Sequence, residues 1–231
     1  MSFDALPENL ARVREEIARV QAREGVGAEV GIIAVTKGHP PEAALAAHGA
    51  GVDDLGENRV QAGVAKIEQL AELPVRWHLI GHLQSNKARF VPGRFAMVHS
   101  VDSGRVADAL ARAVSKLGSG PALPVLLQVN TGGEGQKSGC RPEEAEALAQ
   151  HVLALPDLEL RGLMTMAPFT DDEAVQRRVF AGLRRVREEL EARGIQLPEL
   201  SMGMSGDYQA AVAEGATLLR LGTVLFGERP K

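Results

Sequence analysis

Lys37 and Arg220 are the side chains whose setting most needs a chemical explanation. Lys37 follows the apolar run Gly31 to Val35, and strand alternation puts Ile33, Val35 and Lys37 on one face. A lysine on such a face must pair its charge or give it up. Burial favours the neutral amine, the form that attacks an aldehyde to make a Schiff base. Taken alone, Lys37 suits a lysine that snorkels to solvent at a strand end at least as well. Arg220 shifts the balance, because it shares a face with Gly222 in the run Thr217 to Gly222. If the sheet closes, this strand neighbours the one carrying Lys37, and the two cations repel unless an anionic or electron-rich ligand lies between them.

Two further segments suit such a ligand. Gly222-Thr223 offers backbone N–H groups, close approach at a glycine and a hydroxyl donor, while Ser205-Gly206-Asp207 opens a helix whose N-terminus is positive. Together they predict a cradle for one phosphate; each alone reads as an ordinary turn. His78 and His82 alternate onto one face of their strand, either as proton shuttles or with one bonding a neighbouring strand and the other lining the pocket. No Asp/His set at ligand spacing accompanies them, so no metal site is expected. Lys87 and Lys137 lie in polar loop sequence with open roles.

These residues need a scaffold that brings distant strand ends together. From Val30 the chain alternates short apolar runs with helical stretches. The runs are Val30 to Lys37, Asp53 to Glu57, Val75 to His82, Met97 to Val101, Pro124 to Asn130, Glu159 to Met166, Glu199 to Met204 and Thr217 to Gly222. Eight near-continuously apolar strands separated by helices describe a parallel sheet buried on both faces. Closure into a single (β/α)8 barrel uses all eight; a doubly wound open sheet is the alternative. The helices include Pro41 to His48, Arg59 to Ala71 and a shortened one after Arg89, where Pro92-Gly93 interrupts. In a barrel the functional groups gather at the C-terminal strand ends, which here are unusually polar. An amphipathic N-terminal helix over Asp4 to Arg23, stopped at Gly25, is expected to cover the bottom or flank as an extension over residues 1–28.

Composition is consistent with one domain over 1–231. The chain has 231 residues, 45% of them hydrophobic, enough for one sizeable core, and a net charge of −4 with no basic stripe to suggest nucleic acid. The single cysteine, Cys140, excludes an internal disulfide and reads as a packing residue in a reducing, cytoplasmic setting. No apolar run reaches the ~18 residues of a membrane span, and no signal-type segment opens the chain.

The segments Ala34-Val35-Thr36-Lys37, Gly56-Glu57-Asn58-Arg59-Val60-Gln61, Gly81-His82-Leu83-Gln84-Ser85-Asn86-Lys87, Ser201-Met202-Gly203-Met204-Ser205-Gly206-Asp207 and Arg220-Leu221-Gly222-Thr223 occur in one order along the chain. In these segments it resembles the pyridoxal phosphate homeostasis proteins, which share their barrel with the N-terminal domain of alanine racemase. The resemblance implies pyridoxal 5′-phosphate (PLP) held covalently on Lys37, Arg220 facing the pyridine nitrogen, and Ser205, Gly222 and Thr223 on the phosphate. It also places Asn58 along the cofactor face. The glycine-rich loop Thr131 to Gln136 fits the family pattern loosely and leaves Glu134 without a role.

An arginine beside the pyridine nitrogen, donor-only and permanently charged, weakens the ring as an electron sink. The related racemases also use a tyrosine from a C-terminal β-domain, whereas this chain stops soon after Gly222 and its one tyrosine, Tyr208, sits near the expected phosphate site. The expectation is therefore a monomeric PLP-binding protein that stores, protects or delivers the cofactor, with apo PLP-dependent enzymes as partners and no turnover. The alternatives are a PLP-dependent amino-acid racemase and a phosphosugar barrel enzyme with a ketose Schiff base on Lys37.

Overall fold

A computed structural model of the chain describes residues 3–118, 120–133 and 138–228; Glu134 and Lys137 lie outside the described residues. Eight strands close into a parallel barrel in sequence order: β1 (Gly31–Val35), β2 (Asp54–Glu57), β3 (Arg76–Leu79), β4 (Met97–Val101), β5 (Leu123–Gln128), β6 (Leu158–Met164), β7 (Glu199–Ser201) and β8 (Leu218–Leu221). The open-sheet alternative is excluded by the ladder joining β1 to β8, in which Ile33 pairs with Arg220 and Ala34 with Leu221.

Helices α1 (Leu6–Glu24), α2 (Glu42–Gly49), α3 (Val60–Gln69), α4 (Gly104–Ser115), α5 (Ala145–Leu153), α6 (Glu173–Glu191), α7 (Tyr208–Ala213) and α8 (Thr223–Phe226) surround the barrel. Helix α1 buries Leu6, Leu10, Val13, Ile17 and Val20, the stripe its sequence period requires, and ends where Gly25 takes the left-handed conformation at φ 68°. It covers the flank: it packs on α7 and on α8, which has only four residues, and Asn9 donates a hydrogen bond to the Leu225 carbonyl at 2.9 Å. Helix α6 starts at Asp172, whose carboxylate accepts the N–H groups of Ala174 and Val175.

One apolar layer lies between strands and helices, with Ala34, Leu55, Leu79, Val98, Leu127, Leu163, Leu200 and Leu221 buried in it. The alternate strand residues turn inward, and Ile33, Val35 and Ile80 fill the space beside Gly56.

The strands are shorter than their apolar runs suggest, because the chain leaves the ladder to form the loops of the site. Strand β1 stops two residues before Lys37, although the Thr36 N–H still donates to the Gly56 carbonyl at 3.1 Å. Strand β7 has three residues and gives way at Ser201. The expected helix after β3 is instead a 3-10 turn over Ser85–Phe90, since Pro92 and Gly93 follow too closely for a full helix. Among the described residues, no helix is long and apolar enough to cross a membrane.

Candidate functional site

At the C-terminal end of the barrel a cavity of about 370 Å³ is lined by Lys37, Asn58, Ser205, Arg220, Gly222 and Thr223. All six residues singled out from the sequence therefore face one space, and its size lies within the ~300–1,000 Å³ of small-molecule sites.

Lys37 sits in the turn after β1, next to a buried polar brace. Thr36 donates its hydroxyl to Glu57 Oε1 at 2.7 Å, and Lys66 on α3 donates to both Glu57 and the Thr36 carbonyl, the latter at 2.8 Å. This brace ties the ends of β1 and β2 together one residue before Lys37. Asn58 follows β2 directly and is held by close packing on Gly81, where an added Cβ would lie 2.1 Å from the Asn58 carbonyl oxygen.

Arg220 is 3% exposed, with Nη1 donating to Ser201 Oγ at 2.7 Å and Nη2 to the Thr165 carbonyl at 2.9 Å. Burial pulls its guanidinium down to about 10, against the attraction of Asp207, so it stays charged at neutral pH. The loops after β7 and β8 meet at Ser205, whose Oγ accepts from the backbone N–H groups of Gly222 at 3.1 Å and Val224 at 3.2 Å. Two N–H groups thus converge on one oxygen, with the Thr223 residue between them lining the same cavity. This is donor chemistry that suits a phosphate. The expected contribution of a helix N-terminus is smaller than the sequence suggested. Helix α7 has only six residues, and the carboxylate of Asp207, at its N-cap position, turns away from the helix to accept from the Met204 N–H and is pushed upward by burial.

The strand-three histidines separate. His78 is buried in the barrel and bonds His99 on β4 at 3.0 Å and Asp54 on β2 at 2.9 Å, which agrees with a histidine tied to neighbouring strands. His82 lies beyond β3, half exposed, and pairs with Asp102 at 3.3 Å rather than lining the cavity. Cys140 is buried and its thiol is pushed up to about 12 by burial and by Glu144, in keeping with a packing role. Tyr208 is buried in the apolar layer, with Glu16 and Arg19 of α1 the charges that act on it. Sequence reasoning missed His39, which lines the cavity and packs its ring 5.2 Å from Phe226, and the rim formed by Met166, Pro168 and Phe169. The turn signal Gly38, at φ 76°, marked the chain reversal that brings His39 inward.

Known proteins share this fold and, at higher identity, much of this sequence. Residues 8–230 match the family model for the alanine racemase N-terminal domain. The pyridoxal phosphate homeostasis protein of Pseudomonas aeruginosa is 46% identical over 228 residues, covering 98% of this chain and 97% of that protein. The structure of PipY of Synechococcus elongatus PCC7942 with PLP bound superposes with a TM-score of 0.83 at 40% identity, covering 96% of this chain and all of PipY. An alanine racemase of Clostridium difficile 630, at 17% identity and TM-score 0.77, shares the fold over 58% of its own length.

Proposed function

This chain belongs to the pyridoxal phosphate homeostasis protein family, within the alanine racemase N-terminal-domain group, and on that premise we propose that it binds PLP as a Schiff base on Lys37 and stores, protects or delivers it. The observation that carries the reading is the convergence of a lysine, an arginine and a two-loop N–H and hydroxyl cradle on one cavity. When bound, PLP supplies an aldehyde for imine formation and a ring that withdraws electrons.

The residues of the chain divide the binding between them. Lys37 provides the amine, and the Lys66–Glu57–Thr36 brace fixes the turn that presents it. Ser205, Gly222 and Thr223 hold the phosphate, and the N–H groups of Gly222 and Val224 fix the Ser205 oxygen so that its hydroxyl proton is left to donate. Arg220, anchored by Ser201 and Thr165, faces the pyridine nitrogen, and Asn58 lines the ring face. A donor-only guanidinium leaves that nitrogen without a proton, which works against carbanion chemistry. Tyr208, the chain's only tyrosine, is packed under α1 and offers no acid opposite Lys37. These two features support binding without turnover over the racemase reading. We further propose a cytoplasmic monomer that hands PLP to apo-enzymes; the lone buried cysteine supports the compartment.

Purified protein mixed with PLP is expected to turn yellow, and Lys37→Ala to stay colourless. A visible band that survives Lys37→Ala contradicts the assignment. Exchange of the α-deuterium of alanine at a useful, Lys37-dependent rate favours the racemase.

A further inference from the structure

A continuous hydrogen-bonded chain crosses the barrel interior beneath the cavity. It runs from Arg220 Nη1 to Ser201 Oγ at 2.7 Å, from Ser201 Oγ to His99 Nδ1 at 2.8 Å, from His99 Nε2 to His78 Nδ1 at 3.0 Å, and from His78 Nε2 to Asp54 Oδ1 at 2.9 Å. Its far end meets solvent at Asp54, which Arg76 grips through two hydrogen bonds of 2.6 Å. Ser201 and His99 are fully buried, and His78 is 5% exposed. Five strands contribute one link each from β2, β3, β4, β7 and β8, so no packing requirement of a single element explains the alignment.

With one proton on each imidazole, the proton positions follow from the ends. Asp54, ionised, only accepts, so His78 donates from Nε2. A His78 with one proton has Nδ1 as an acceptor, so His99 must donate from Nε2. His99, neutral in the dry core, then presents Nδ1 as an acceptor, and the single Ser201 proton goes to it. The Ser201 oxygen is left to accept from Arg220. Every link then turns its negative pole toward the guanidinium and its positive pole toward the carboxylate, an arrangement in which the bonds reinforce one another. A second proton on His78 would reverse the His99 tautomer, put two N–H groups on Ser201, and add a cation to an interior that already holds Arg220.

We propose that Ser201, His99, His78 and Asp54 are positioning residues that form a one-way hydrogen-bond relay, set by the Asp54 carboxylate, which fixes Arg220 as the donor facing the ligand ring. The proposal rests on the PLP reading for the ring and on the geometry alone for the relay.

Nitrogen-15 spectra of the ligand-free protein test the relay without the ligand. His78 and His99 are expected as single neutral Nε2–H tautomers, and Asp54→Asn is expected to abolish that uniformity, because an amide donates as well as accepts. A wild-type His99 protonated on Nδ1, or a His78 protonated on both nitrogens at neutral pH, overturns it; so does an Asp54→Asn protein with an unchanged pattern. In the PLP-loaded protein, Ser201→Ala is expected to weaken PLP binding roughly fivefold and to shift the visible band. Affinity and band both unchanged in a folded Ser201→Ala protein overturn the positioning role. If the wild-type tautomers are as expected but the protein takes up no PLP, the relay stands and the PLP reading fails.

Discussion

The hydroxyl oxygen of Ser205, in the loop after β7, lies 3.1 Å from the backbone nitrogen of Gly222, which caps the helix after β8. One side chain thus holds together the two loops from which barrels most often build a phosphate site. Ser205→Ala removes that tie and one hydroxyl from the cradle. PLP is expected to bind about 3- to 10-fold more weakly, while pyridoxal, which has no phosphate, is affected little. Titrations with both ligands check this.

The Lys66–Glu57 pair is buried, with side-chain exposures of 10% and 3%. Lys66→Ala leaves the Glu57 carboxylate without its cation and frees the Thr36 carbonyl. A loss of about 3–5 kcal/mol in urea unfolding is expected, with weakened PLP uptake because the turn at Lys37 loses its anchor. Glu57→Gln with Lys66→Met, which removes both charges, is expected to cost less than Lys66→Ala alone.

Gly81 admits no side chain, since its Cβ would also lie 2.4 Å from Asn58 Oδ1. Gly81→Ala is expected to destabilise the fold by about 1–3 kcal/mol and to displace Asn58 from the cavity. Thermal unfolding and PLP titration on the same sample measure both effects.

Burial opposes ionisation of Asp54, but hydrogen bonds from His78 and Arg76 outweigh it and hold the carboxyl at about 2, against 3.8 for a free side chain. A carboxyl with a lowered folded pKa stabilises the native state above its unfolded value and loses that contribution as the pH falls through the folded one. About 2 kcal/mol is expected to disappear between pH 4 and pH 2. Asp54→Asn should flatten that part of the unfolding-versus-pH curve. An unchanged slope contradicts the assignment.

Much of the site could be read from the sequence because its residues stand at strand ends, where apolar alternation gives way to Lys37, Asn58, Ser205 and Gly222-Thr223. Eight apolar runs likewise made the barrel legible, though their ends overran the strands wherever the chain left the ladder for a loop. The relay could not be read. His78 and His99 are 21 positions apart, and His99 and Ser201 are 102 apart, on three different strands. Only the closed register of the barrel brings them into line. His39 and the rim at Met166 to Phe169 were missed for a related reason: irregular loops carry no periodic signal.

On the proposed function, Lys37 carries PLP covalently. Borohydride reduction of PLP-loaded protein, followed by peptide mass analysis, tests it directly. One phosphopyridoxyl group per chain is expected, on Lys37, and none on the reduced Lys37→Ala protein. Modification at another lysine with Lys37 unmodified, or no stable modification in a protein that still binds PLP, would contradict it.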